Sequence, residues 1–118
     1  MGIYYKECFL EDIYHFDALE VWNDLVPGAS VKLSLDMGGD DKRGNYMRGD
    51  YTKNVKVELD KQGNKLLGVL SEEDSKSMLP FYKSGWYDLF SGRICFIDKE
   101  NEKLRIKVVV YINLKLDD

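Results

Sequence analysis

The sequence is short of the side chains on which most catalytic and metal chemistry depends. It carries one histidine, two cysteines and two prolines in 118 residues. His15 is the sole imidazole, and Cys8 and Cys95 are far apart with no Cys-x-x-Cys spacing, so no metal ion is expected. Both cysteines sit in apolar, strand-like surroundings and read as reduced core thiols. No nucleophile elbow exists, because Ser34, Ser71, Ser84 and Ser91 lack flanking Gly-x-Ser-x-Gly. Gly38-Gly39 runs into Asp40-Asp41 rather than Gly-Lys-Ser/Thr, so a phosphate there would meet carboxylates. The paired acids Glu72 and Glu73 are explained by a helix start. No catalytic residue and no cofactor is therefore expected, and a hydrolase or nuclease is disfavoured.

Long apolar runs are missing too. No segment approaches the roughly 20 apolar residues that span a bilayer, and residues 1–7 lack the basic start and apolar stretch of a secretory leader. No membrane association is expected, and a cytoplasmic location is. A basic excess is also absent: the net charge is −4 and the isoelectric point near 5.0. That balance argues against a uniformly basic nucleic-acid binder but leaves room for a local patch.

What is present is a well-stocked core. Hydrophobic residues make up 44% and charged residues 32%, the profile of one folded domain rather than a disordered chain. Eight Tyr, five Phe and two Trp give 13% aromatics, enough that some must lie at the surface, where they can also bind. Trp22 and Trp86 read most simply as core.

Residues 3–10 read as a strand of mixed pattern, followed by the short aromatic run Ile13-Tyr14-His15-Phe16. Asp17 is placed to cap a helix with Ala18, Leu19, Val21, Trp22 and Leu25 on one stripe, ended by Pro27-Gly28. Residues 30–37 and 54–59 alternate as half-buried strands, separated by a long Gly-rich charged loop, 38–50. A turn at 60–64 leads to an apolar strand, 66–70. Ser71 and Asp74 then form a capping-box-like helix start, and Pro80 kinks or divides that helix. Two long strands, 86–97 and 104–114, flank the charged turn 98–103, and Val109-Val110-Tyr111-Ile112 reads as buried on both faces. The expected fold is mostly β with one main helix: a small six-stranded antiparallel, barrel-like sheet of OB/SH3-like type, capped by the helix, in a single domain over 1–118.

The order of these elements resembles the HIRAN domain. Four stretches carry the resemblance. The first runs from Tyr14-His15-Phe16-Asp17-Ala18 through Glu20-Val21-Trp22 and Pro27-Gly28 to the alternating strand from Val31 to Leu35. The second is Gly49-Asp50-Tyr51-Thr52-Lys53-Asn54-Val55-Lys56-Val57. The third and fourth are Lys65-Leu66-Leu67-Gly68-Val69-Leu70-Ser71, and Gly85-Trp86-Tyr87-Asp88-Leu89-Phe90-Ser91-Gly92-Arg93-Ile94 with the closing strand. The resemblance implies a non-catalytic nucleic-acid-binding module that recognises single-stranded DNA or a free 3′ end by aromatic stacking. By position, His15 takes the first stacking role with Tyr14 and Phe16 beside it. Tyr51 takes the second, Thr52 stands where an Asp contacts the sugar end, and Lys53 and Asn54 keep their motif places. Arg48, with Lys42 and Arg43, supplies charge for phosphate. The departures are Asp50, Thr52, Val69 and Glu72, where DNA-binding members offer other groups. The alternative expectation is a protein-interaction module of the same fold with a decayed DNA site, its acidic face meeting a basic partner.

Overall fold

Alternation of apolar and polar residues produces the strands. Val55, Val57 and Leu59 are buried while Lys56 and Glu58 between them are half-exposed, and Val31 and Leu33 repeat the pattern. A computed structural model of the chain describes residues 2–13, 17–35, 53–60, 65–98 and 105–113. Within these, six antiparallel strands form one sheet: β1 (Gly2–Phe9), β2 (Ser30–Leu35), β3 (Val55–Leu59), β4 (Leu66–Val69), β5 (Phe90–Asp98) and β6 (Arg105–Asn113). Their order is β1-β6-β5-β2-β3-β4. The mostly β architecture is as expected, but β5 begins at Phe90 rather than Trp86.

The expected barrel is not closed. Among the described residues no ladder joins the edge strands β1 and β4. One isolated bridge spans the gap, in which Glu11 N donates to Val69 O at 2.7 Å and Val69 N donates to Glu11 O at 3.1 Å. Gly68 makes this seam possible. A Cβ on it would lie 2.8 Å from Glu11 O and 3.3 Å from Leu10 Cβ.

Helices lie across the same seam. Ser71 Oγ accepts from Asp74 N at 3.0 Å and starts α1 (Glu72–Lys76), as the sequence predicts. Pro80 divides the run, sitting in the first turn of α2 (Leu79–Lys83), so the expected main helix is two short ones. On one side, Lys6 Nζ donates to Asp74 O at 2.6 Å and the Tyr5 hydroxyl pairs with Ser77 Oγ. On the other, Val55 N donates to Ser75 Oγ at 2.9 Å. The α1–α2 segment therefore ties β1 to β3 over the gap in the sheet. Met78 and Tyr82 are buried beneath it, with the Tyr82 and Phe90 rings 5.8 Å apart.

Three further expectations are corrected. Asp17 precedes a 3-10 helix, Ala18–Asp24, but makes no side-chain cap bond; it is buried, and its carboxylate accepts from Leu66 N at 3.4 Å while its own N–H donates to Leu66 O at 2.8 Å. Ordering β4 takes the place of capping. Trp86 is exposed, beyond the end of α2, whereas Trp22 packs against the core. Cys8 is buried but Cys95 is exposed.

Candidate nucleic-acid interface

Two bulges decide what the outer face of the sheet presents. Cross-strand partners point to the same face, and β6 alternates Ile106, Val108 and Val110 inward with Arg105, Lys107, Val109 and Tyr111 outward. In β1 the register slips between Tyr4 and Lys6, leaving Tyr5 as the extra residue. In β5 it slips between Ile94 and Phe96, leaving Cys95 extra. An extra residue reverses the facing of everything after it. Tyr4, Glu7 and Phe9 consequently share the outer face of β1 despite their uneven spacing. On β5, Ser91, Arg93 and Phe96 do the same.

The result is a row across three strands. Phe9 and Phe96 both pair with Lys107, one from each side. Their rings meet edge-to-face with centroids 6.3 Å apart. Both are well exposed, Phe9 at 39% and Phe96 at 43%. Two cations stand over Phe9: the Arg105 guanidinium lies 4.4 Å from its centroid and Lys107 Nζ 5.2 Å. Lys107 also pairs with the Glu7 carboxylate at 3.1 Å. Arg93, in the next row, donates to Gly28 O at 3.0 Å and is exposed. Arg93, Arg105 and Lys107 thus face two acids, Glu7 and Asp98, and this strip is net cationic on a chain whose overall charge is −4.

Cys95, beside Phe96, donates weakly to Lys107 O at 3.5 Å, and partial desolvation and then the Glu7 carboxylate push its thiol above the ordinary range. Among the described residues no group of His, Cys, Asp and Glu stands close enough to hold a metal ion. No helix among them is long and apolar enough to cross a membrane.

Of the residues expected to bind nucleic acid, Tyr14, His15, Phe16, Arg48, Tyr51 and Thr52 lie outside the described residues. Lys53 is exposed just before β3. Asn54 is buried, and its side-chain amide donates to Leu70 O at 2.8 Å, so it holds the entry of β3 to the exit of β4. Val69 is buried in the seam and Glu72 exposed in the first turn of α1. Sequence reasoning missed Phe9, Phe96, Arg105 and Lys107. The signal was the mixed pattern of residues 3–10, which is what a bulge does to alternation.

No protein-family model matches the chain, and no curated protein matches it. A solved structure does: the crystal structure of a structural-genomics target from Lactobacillus plantarum. It is 12% identical, with 94% of this chain and 97% of that one covered at a TM-score of 0.65. The likeness is one of fold.

Proposed function

We propose that this chain is a non-catalytic module that binds single-stranded nucleic acid, with the outer face of β1, β6 and β5 as its stacking surface. One observation carries the reading: the exposed Phe9–Lys107–Phe96 row with Arg105 over it. Flat bases stack on exposed phenyl faces at about 1–3 kcal/mol each, and phosphates are met by Lys and Arg. Phenylalanine offers no hydrogen bond to a base edge, so the phenyl faces themselves favour no particular base. The resemblance to HIRAN domains leads to the same class of ligand from other residues, Tyr51 foremost.

A protein-interaction module is the second reading. It is favoured by the acidic overall charge and by the exposed aromatics Phe81, Trp86 and Tyr87 around the end of α2. A labelled ten-residue oligothymidylate followed by anisotropy at low salt separates the two. Binding should weaken about 5- to 150-fold on Phe96→Ala, the equivalent of one lost stack. Arg105→Gln should lower the salt slope by about one. A folded protein that gives no anisotropy change at low salt refutes the nucleic-acid reading and leaves the interaction module.

A further inference from the structure

The Phe9–Lys107–Phe96 row is not the only aromatic step on this face. Tyr111 is the outward residue of β6 four places beyond Lys107, and its Cα partners are Tyr4 on β1 and Ser91 on β5. Tyr4 is 58% exposed, and Tyr111 is partly exposed. The bulge at Tyr5 is what brings Tyr4 to this face. In an unbroken strand, residues 4 and 9 would point to opposite sides.

Between the two aromatic steps lies a single row, Glu7–Val109–Arg93. Val109 is nearly flush with the sheet at 8% exposure and makes a flat apolar floor. The row is charged differently at its two ends, with a carboxylate on β1 and a guanidinium on β5.

We infer that a single strand lies along β6 in two stacking steps, Phe9/Phe96 and Tyr4/Tyr111, with its phosphates on the β5 side. This rests on the nucleic-acid reading above and extends it to the length and lateral placement of the ligand. The four residues separating the steps span about 14 Å at the antiparallel rise. At the roughly 3.4 Å per nucleotide of a stacked strand that is about four nucleotides, and fewer once the bases are pulled apart. Glu7 repels phosphate from the β1 side even though Lys107 neutralises much of its charge, while Arg93 attracts it from the opposite flank. The bases then lie over β6, where the Phe96 ring reaches across from β5 to meet Phe9. The tyrosines act through their ring faces, so the hydroxyls are dispensable.

The test compares oligothymidylates of three and ten residues, titrated by NMR chemical shift and by calorimetry. Phe96→Ala should weaken both. Tyr4→Ala and Tyr111→Ala should each weaken the ten-mer about 5- to 150-fold and leave the trimer unchanged, since a trimer fills one step. Tyr4→Phe and Tyr111→Phe should bind the ten-mer as the wild type does, and unchanged trimer binding by the alanine variants shows that they are folded. Arg93→Gln should lower the salt slope for the ten-mer by about one, whereas Glu7→Gln should not. If Phe96→Ala weakens the ten-mer while both tyrosine-to-alanine variants bind it normally, the two-step path is wrong and the nucleic-acid reading stands. If neither oligonucleotide binds the folded wild type, both are wrong.

Discussion

Replacing Gly68 with alanine tests the seam directly. The added methyl would sit 2.8 Å from a backbone oxygen, Glu11 O, and 3.3 Å from Leu10 Cβ, with Ile13 Cγ1 at 3.6 Å. A backbone oxygen cannot rotate away as a side-chain tip can, so the 10–13 segment must lift off β4. Two hydrogen bonds, of 2.7 and 3.1 Å, go with it. Each contributes about 1 kcal/mol net, and the overpacking against Leu10 and Ile13 adds roughly 1–3 kcal/mol. Restricting the unfolded chain returns about 0.4–1 kcal/mol. The balance is a loss of about 2–4 kcal/mol, which for a chain of 118 residues lowers the melting temperature by on the order of 10 °C. Calorimetry measures the loss, and hydrogen exchange locates it: the Glu11 and Val69 amides should lose protection while the β6 amides at the centre of the sheet keep theirs. A variant melting within about 2 °C of wild type, with both seam amides still protected, would refute the close approach of the Glu11 backbone to Gly68.

Two other perturbations probe the interior. The Tyr82 hydroxyl is buried with no hydrogen-bond partner among the described residues, so Tyr82→Phe should raise stability by about 1 kcal/mol in a denaturant titration; a loss would show that the hydroxyl is bonded. Burial first, and then Asp74, push the Cys8 thiol from 9.0 up to about 11. Because the fold favours the neutral thiol, the stability it contributes is whole below pH 9 and is lost as pH rises towards 11. The amount is on the order of 2–3 kcal/mol. Cys8→Val should show a flatter stability profile than wild type across that window, and iodoacetamide at about pH 8 should modify exposed Cys95 well before Cys8.

The strands that follow simple alternation were legible from sequence. Val31/Leu33 and Val55/Val57/Leu59 gave β2 and β3 directly, and Ser71 with Asp74 marked the start of α1 because capping is a local transaction between neighbours. Pro80 marked the break for an equally local reason. What stayed hidden depends on partners distant in the chain. Asp17 looks like a cap until Leu66 is seen to engage both its carboxylate and its N–H. The outer face was illegible because its aromatics are out of step along each strand, and only the pairing with β6 reveals that Phe9 and Phe96 flank one lysine. Trp86 was misplaced for want of any local signal that β5 starts four residues later.

The bulge at Cys95 also makes β5 tolerant of a lost residue. With Cys95 left out of the count, Ile94, Phe96, Ile97 and Asp98 stand opposite four consecutive residues of β6, Val108, Lys107, Ile106 and Arg105. Deletion of Cys95 would therefore close the bulge and keep Phe96 on the outer face and Ile97 on the inner one, in plain alternation. Insertions and deletions are ordinarily absorbed by loops. Here a strand holds the spare residue, so relatives of equal fold can differ in length at this point without exchanging the outward and inward sets of β5.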